Sequence, residues 1–321
     1  MKNLQGFLRL IRWPNLLYII LTQFLLCYAL LIPVYSSVNF TTAALDWTSL
    51  CLLVLSTVLI AAGGYVINDY FDVKADEINR PDKIVVGRLI ERRHSLIIHG
   101  ILKSAGLATG FIVALRVGFP VLLAIQLGIS SLLWLYSTLL KRLPLIGNIA
   151  VSFMTAAVIL IVLVYETSFF DEFYAAFPSE GKFILYHFLG YALFAFLLTL
   201  IREIVKDLED MEGDRSIDCK TIPLLWGIPV AKAFVVVFAV LVSALVASYL
   251  YYFVGGAGIS SSIVLLKIAF LLLLVQLPLV LLIKWTLSAD KPSHYHRISN
   301  LLKLTMLAGI LFLLIIKYTI A

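Results

Sequence analysis

Long apolar stretches alternate with short polar segments along almost the whole chain. Nine stretches are long enough to cross a bilayer as helices, because a hydrocarbon core about 30 Å thick needs roughly 20 apolar residues. They cover residues 17–36, 47–70, 94–115, 119–139, 145–166, 183–205, 230–254, 262–285 and 300–320. The pattern predicts an all-α integral membrane protein with nine transmembrane helices, and residues 1–321 form one polytopic domain.

The segment before the first stretch has a different pattern. Residues 1–14 place apolar side chains such as Phe7 and Trp13 beside the charged Lys2, Arg9 and Arg12. This mixture predicts a short helix that lies in the membrane interface. The first stretch is not typical of a cleaved signal peptide, because its apolar run is long and no small-x-small site follows it.

The composition supports a membrane protein and argues against several other classes. Of the 321 residues, 62% are hydrophobic and 14% are charged, with a mean hydropathy of +1.02. Soluble domains carry about 25% charged residues. Cys27, Cys51 and Cys219 are too few and too scattered for a disulfide framework. The net charge of +6 is divided among the loops rather than gathered in one patch, so we expect no nucleic-acid partner.

The basic residues predict the orientation in the membrane. The N-terminus and the regions after the second, fourth, sixth and eighth stretches contain 20 of the 25 Lys and Arg residues. By the positive-inside rule, the N-terminus is cytoplasmic and the C-terminus lies outside. We therefore expect a multi-pass protein of the cell inner membrane with its active site on the cytoplasmic side. No obligate protein partner is evident.

The acidic residues are concentrated in two short segments. Twelve of nineteen lie at and beyond the ends of the second and sixth stretches, between Asp69 and Asp82 and between Glu203 and Asp218. Both segments are on the predicted cytoplasmic face. Carboxylates this close to a membrane are costly and are usually functional.

Helical spacing aligns some of these side chains into two ladders. Asn68, Asp72 and Asp76 fall at i, i+4 and i+8, which places them on one helix face. Asp210 and Asp214 repeat the spacing in the second segment. Like charges at i, i+4 destabilise a helix, so each ladder needs a counter-charge. Mg²⁺ is suitable because it takes hard oxygen ligands and bridges carboxylates to substrate phosphates.

Basic side chains near the ladders could take the remaining charge of a diphosphate. The candidates are Arg80, Lys83, Arg88, Lys141, Arg142, Lys206 and Lys220. For Lys141 and Arg142, membrane topology alone also explains a basic pair, whereas Lys206 lies inside the second acidic segment. Gly213, a poor helix former, makes helix continuation through the second ladder less favourable.

Two other classes of protein compete with an enzyme. A membrane transporter or divalent-cation pathway also uses acidic residues within the membrane. Transport sites lie near the midplane, however, and the middles of these stretches are nearly free of charge. A structural membrane scaffold would leave both ladders unexplained.

The two acidic segments resemble the signatures of the UbiA superfamily of membrane prenyltransferases. The residues that carry the resemblance are Asn68-Asp69-x-x-Asp72-x-x-x-Asp76, Asn79-Arg80-Pro81, Gly87-Arg88 and Asp210-x-x-x-Asp214. It covers the whole chain in outline, because one signature follows the second predicted helix and the other follows the sixth.

The resemblance implies nine helices around a central cavity, with Mg²⁺ as cofactor. It implies a polyprenyl diphosphate and a prenyl acceptor as partners, with the donor tail in an apolar tunnel that opens toward membrane lipid. The metal ligands that it implies are Asn68, Asp69, Asp72, Asp76, Asp210 and Asp214. The acceptor would be an aromatic compound, a quinone precursor, a tetrapyrrole or a glycerophosphate.

The segment from Arg202 to Pro223 most resembles the digeranylgeranylglyceryl phosphate synthase branch. It shares an Asp-x-Glu-Gly-Asp core with homogentisate and chlorophyll-type members. It differs from 4-hydroxybenzoate members, which usually have aspartate at the position of Glu203 and tyrosine at that of Lys206. We therefore expect transfer to geranylgeranylglyceryl phosphate or a similar lipid, with an aromatic quinone precursor as the other acceptor.

The expected reaction releases diphosphate and generates a carbocation-like prenyl carbon, which a water-free cavity would protect. A base for the acceptor proton could be Asp207 or Glu203. The catalytic carboxylates that we expect are Asp72, Asp76, Asp207, Asp210 and Asp214.

Overall fold

The computed structural model describes residues 2–254 and 262–320, and nine helices in these residues are long and apolar enough to cross a membrane. They are α2 (Trp13–Ser37), α3 (Trp47–Asn79), α4 (Arg92–Arg116), α5 (Pro120–Thr138), α6 (Ile146–Tyr165), α7 (Pro178–Glu209), α10 (Ile228–Tyr252), α11 (Ser262–Ser288) and α12 (Pro292–Ile320). The shorter helices are α1 (Lys2–Leu10), α8 (Met211–Ser216) and α9 (Ile222–Trp226). The prediction of an all-α protein with nine transmembrane helices is confirmed.

The outer surface of the bundle is apolar. Val121 on α5, Leu287 on α11 and Leu304 on α12 each expose more than 60% of their area. Water would make such exposure costly at about 25 cal/mol per Å², whereas the acyl chains of a membrane solvate these side chains. The chain is a multi-pass integral membrane protein.

Inside the bundle, α7 packs along α6, α10 and α12. The largest buried cluster includes Leu30 of α2, Ile201 of α7, Val242 of α10 and Leu302 of α12. Polar atoms inside the bundle are joined across helices, as where Ser56 Oγ donates to the Gly106 carbonyl at 2.6 Å. The packing against α6, α10 and α12 holds α7 in the interior, where it presents polar side chains to a cavity.

The N-terminal segment folds as α1 followed by a sharp turn. Arg12 has a positive φ of 50° in the turn that separates α1 from α2. Leu10 at the end of α1 is buried against Val66, Val85 and Val86. The helix predicted within residues 1–14 is therefore anchored to the loop after α3, and its location in the membrane interface stays a prediction.

Two helices extend beyond their predicted ends, and both extensions carry acidic residues. Helix α3 continues to Asn79 rather than ending near residue 70, so the whole first ladder is helical. Helix α7 continues to Glu209, and Asp210 then separates it from α8. The helix break therefore lies at Asp210, and Gly213 lies inside α8.

Candidate active site

A central cavity of about 420 Å³ lies among α2, α3, α5, α6, α7, α8 and α12. Both acidic ladders reach its wall. Asn68, Asp72 and Asp76 reach it from α3, whereas Asp210 and Asp214 reach it from the junction of α7 and α8. The tertiary structure thus brings together two signatures that lie about 130 residues apart in the chain.

The first ladder is held by a hydrogen bond and an ion pair. Asn68 Nδ2 donates to Asp72 Oδ2 at 2.7 Å, and Lys141 Nζ pairs with Asp72 Oδ1. Asn68 Oδ1 is buried and has no hydrogen-bond partner among the described residues. A buried oxygen without a partner is costly, and here it is a ready oxygen ligand for a cation.

The second ladder is paired with a cation from the end of the first. Arg80 Nη2 contacts the two carboxylate oxygens of Asp210 at 2.8 and 2.7 Å. Burial raises the pKa of Asp210, while Arg80 lowers it. Burial, then Asp210 and Asp72, raise the pKa of Asp214 to about 7. The carboxylates of the two ladders therefore repel one another across the cavity.

The ladders are joined by the side chain of Asn79. Its Nδ2 donates to the Asp210 carbonyl at 3.0 Å, and its Oδ1 accepts from the Gly213 amide at 2.9 Å. A Cβ at Gly213 would lie 2.5 Å from Asn79 Cγ and 2.7 Å from the Ala75 carbonyl oxygen. Gly213 is therefore needed because α8 approaches α3 closely.

The oxygen ligands of the two ladders are suited to Mg²⁺, but they do not by themselves form a complete coordination shell. Among the residues that the structure describes, no three Asp, Glu, His or Cys side chains group closely enough to hold a metal by themselves. Mg²⁺ usually binds one or two carboxylates and completes its shell with water and substrate phosphates. Asp72, Asp210 and the free oxygen of Asn68 provide such hard ligands, with Lys141 and Arg80 as present counter-charges.

Asp207 also lies in the cavity wall, but its hydrogen-bond partner is a neutral amide instead of a cation. Its Oδ2 accepts a hydrogen bond from Asn148 Nδ2 at 2.9 Å. Asn148 is neutral, whereas Asp72 and Asp210 are each paired with a cation.

Asp69 is not brought to the cavity wall. Its Oδ1 forms an ion pair at 2.6 Å with Arg12 Nη2, and Arg12 itself lines the cavity. Asp69 is adjacent to Asn68 in the chain, so it lies on a different face of α3 from the ladder. Asp69 therefore positions Arg12 and does not itself line the cavity.

Three predicted phosphate-binding residues also lie outside the cavity wall in the described part of the chain. Arg88 is exposed, and its Nη1 donates to the Pro81 carbonyl at 2.7 Å. Arg142 and Lys220 are exposed and are linked through their backbones at 2.9 Å. The side chain of Lys83 falls outside the described side chains.

Sequence reasoning assigned no site role to three basic residues of the cavity wall, Arg12, Arg202 and Lys303. Arg202 lies one turn before Lys206 on α7, and both contact Glu203. The i, i+4 spacing of Arg202 and Lys206 was the available signal. Arg12 had no such signal, because its place in the cavity wall depends on contacts with α3, including its ion pair with Asp69.

Comparisons with known proteins agree with this geometry. The model of the UbiA prenyltransferase family matches residues 30–301. The digeranylgeranylglyceryl phosphate synthase of Methanopyrus kandleri is 34% identical over 248 residues, which cover 77% of this chain and 81% of that protein. The synthase of the same name from Methanothrix thermoacetophila is 37% identical over 223 residues, covering 69% and 74%.

Solved structures have the same fold. An apo structure of a UbiA homolog from Aeropyrum pernix K1 matches with a TM-score of 0.61 at 20% identity, covering 91% of this chain and 97% of that one. A structure described as giving insights into digeranylgeranylglyceryl phosphate synthase in membranes matches with a TM-score of 0.59 at 25% identity. It covers 98% of this chain and 99% of that one.

Gly213→Ala is expected to destabilise the contact between α8 and α3. Because the added Cβ meets Asn79 and the Ala75 carbonyl, the overpacking should cost about 1–3 kcal/mol. Thermal unfolding in detergent would show a lower midpoint and weaker stabilisation by Mg²⁺. Gly100→Ala on α4 is the matched control, since nothing lies within 4 Å of its added Cβ. Wild-type unfolding of Gly213→Ala would contradict this account.

Proposed function

The chain belongs to the UbiA prenyltransferase family, and from that premise we propose that it transfers a prenyl group from a polyprenyl diphosphate to a lipid acceptor. The observation that carries the proposal is the pair of carboxylate ladders that face each other across one cavity. Below this polar end, Ile129, Leu133 and Val158 form an apolar part of the same wall. The charged head of a polyprenyl diphosphate fits the polar end of the cavity, and its long hydrocarbon tail fits the apolar part.

We assign the diphosphate to the polar end of the cavity. Mg²⁺ bound by the ladders would supply the positive charge that stabilises the leaving diphosphate. The metal ligands in this proposal are Asn68, Asp72, Asp76, Asp210 and Asp214. Arg80 and Lys141, which now pair with Asp210 and Asp72, would turn to the phosphate oxygens once the carboxylates bind the metal.

In the proposed reaction, the bond between prenyl C1 and the diphosphate oxygen breaks, and its electron pair leaves with the diphosphate. The hydroxyl oxygen of the acceptor forms the new bond to C1. We assign the hydroxyl proton to Asp207, which lines the cavity and has the neutral Asn148 rather than a cation as its hydrogen-bond partner. The apolar wall excludes water, which would otherwise capture the electrophilic carbon.

For the acceptor we propose geranylgeranylglyceryl phosphate or a closely similar lipid. The names of the relatives from Methanopyrus kandleri and Methanothrix thermoacetophila support this choice. The resemblance of the segment from Arg202 to Pro223 to the same branch points in the same direction. An aromatic quinone precursor is the alternative acceptor.

We further propose that the chain lies in the cell inner membrane with the ladders on the cytoplasmic side. The positive-inside rule supports this orientation, because the loops at the ladder end of the bundle contain most of the basic residues. The N-terminus would be cytoplasmic and the C-terminus external.

The activity is tested with purified protein in detergent, Mg²⁺ and radiolabelled geranylgeranyl diphosphate. The acceptors would be geranylgeranylglyceryl phosphate, 4-hydroxybenzoate, homogentisate and 1,4-dihydroxy-2-naphthoate. We expect one EDTA-sensitive product, with the phosphorylated lipid as acceptor. Asp72→Asn and Asp210→Asn should lower turnover on the order of 10²–10³-fold, as for loss of one electrostatic contact to a transition state.

The exposed Asp171 provides the control substitution, Asp171→Asn. It removes one carboxylate outside the cavity and should leave turnover unchanged. A folded Asp72→Asn protein with full activity would contradict the proposal, and so would product formation that EDTA does not affect.

Asp207→Asn should lower kcat by about 10²–10⁴-fold, the usual value of a general base. The KM for the donor should stay constant, because the substitution leaves the diphosphate contacts in place. Rates would be measured across pH, and the variant should lose any rise of kcat with pH that the wild type shows. Asp218→Asn is the control at an exposed carboxylate of the same segment. An unchanged kcat in Asp207→Asn would assign the proton to another group.

The orientation is tested by cysteine labelling in a variant without Cys27, Cys51 and Cys219. A single cysteine would replace Arg215 on the ladder side or Asp171 on the other side, since both residues are exposed. A membrane-impermeant maleimide added to intact cells should label position 171 and should label position 215 only after permeabilisation. The reverse pattern would overturn the proposed orientation.

A further inference from the structure

A second charged group in the cavity is basic rather than acidic. Arg202 and Lys206 lie one turn apart on α7, and both side chains reach the cavity wall. A single oxygen, Glu203 Oε1, accepts from Arg202 Nη1 at 2.9 Å and from Lys206 Nζ at 2.9 Å. Two cations therefore share one carboxylate, and the group keeps a net positive charge.

This basic group is desolvated. The side chains of Arg202, Lys206 and Glu203 expose only 16%, 21% and 10% of their area. Arg202 Nε is buried and has no hydrogen-bond partner among the described residues. A buried guanidinium donor without a partner is costly, and in a cavity wall a bound anion can satisfy it.

A third cation near this group, Arg12, is already neutralised by its own partner. The Arg12 guanidinium lies 5.3 Å from the centre of the Tyr65 ring, and both residues line the cavity. Tyr65 also interacts electrostatically with Arg202 and Glu203. Arg12 has its own carboxylate partner, Asp69. The surplus charge therefore comes from Arg202 and Lys206.

Each acidic ladder has its own ion-pair partner. Asp72 is paired with Lys141, and Asp210 is paired with Arg80. A diphosphate held through a metal would take the ladder side with these two cations. The pair of Arg202 and Lys206 is left for a second anion that binds without a metal.

The shape of the cavity favours an anion at the head of a lipid. An apolar side pocket of about 90 Å³ adjoins the main cavity, and Tyr191, Phe194 and Gly309 line both. Tyr191 precedes Arg202 by eleven residues on α7, which is about 16 Å along a helix at 1.5 Å per residue. A small aromatic acid would leave this apolar space empty, whereas a lipid chain would fill it.

We propose that Arg202 and Lys206 form a subsite that binds the phosphate monoester of the acceptor lipid and selects it over a neutral lipid. The inference rests on the proposed prenyl transfer and names the residues that recognise the acceptor. Arg202 presents a planar fork of N–H donors suited to phosphate oxygens, and Lys206 adds a point charge. Binding of the phosphate at this subsite would fix the position of the acceptor's glycerol hydroxyl in the cavity.

The test compares two acceptors that differ only in the phosphate, geranylgeranylglyceryl phosphate and geranylgeranylglycerol. Initial rates with geranylgeranyl diphosphate and Mg²⁺ would be measured for wild type, Arg202→Gln, Arg202→Lys and Lys206→Gln. We expect Arg202→Gln and Lys206→Gln to raise the KM for the phosphorylated acceptor about 10- to 100-fold, the value of one lost charge-assisted hydrogen bond. The donor KM and the rate with the neutral acceptor should not change, and Arg202→Lys should restore part of the loss.

The control variant is Lys284→Gln, which removes an exposed positive charge at the end of α11. It should behave as wild type with both acceptors. An equal loss of rate with both acceptors would show that Arg202 and Lys206 stabilise the fold. A raised KM for the donor would show that they bind the diphosphate. Either result would overturn the inference.

A binding measurement separates failure of the subsite from failure of the proposed reaction. In EDTA, where no transfer occurs, geranylgeranylglyceryl phosphate should raise the unfolding temperature of the wild type more than geranylgeranylglycerol does. Arg202→Gln should abolish the difference, and Lys206→Gln repeats the test if Arg202→Gln does not fold. Equal stabilisation of the wild type by both lipids would overturn the subsite, whatever product the activity assay shows.

Discussion

The side chain of Asn79 joins the ends of two helices that would otherwise repel each other. Its two hydrogen bonds, to the Asp210 carbonyl and from the Gly213 amide, hold α8 against α3 while carboxylates from both lie in one cavity. Burial, and after it repulsion by Asp210 and Asp72, raises the pKa of Asp214. Arg80 reinforces the junction by pairing with Asp210. The arrangement of the whole polar end depends on this contact.

Positive and negative charges in the cavity are equal in number, and they form several distinct ion-paired groups. Among the described residues of the wall, six are acidic and six are basic, so the cavity carries no formal net charge. The ladder carboxylates Asp72 and Asp210 pair with Lys141 and Arg80, whereas Arg202 and Lys206 share Glu203. A metal–diphosphate and a second anion can therefore bind side by side, each to a group with charge opposite to its own.

The bilayer surrounds this charged cavity with an apolar environment. The outer faces of the bundle expose residues such as Val121 and Leu304, and lipid substrates reach such a protein without leaving the membrane. The apolar wall and the side pocket provide space for hydrocarbon, while α3 and α7 extend beyond their apolar stretches to carry the charged groups. One cavity thus joins a lipid environment to a site for phosphates.

The sequence alone determined the nine helices, the family and the ladder of Asn68, Asp72 and Asp76, because apolar length and i, i+4 spacing are local properties of the chain. It could not separate Arg12 and Lys141, which line the cavity, from the exposed Arg88 and Arg142, since all four are basic residues in polar segments beside the apolar stretches. Only the tertiary structure decided that. The place of Arg12 in the cavity wall, its pairing with Asp69 and the close approach of α8 to α3 at Gly213 depend on contacts between distant segments, which no local pattern encodes.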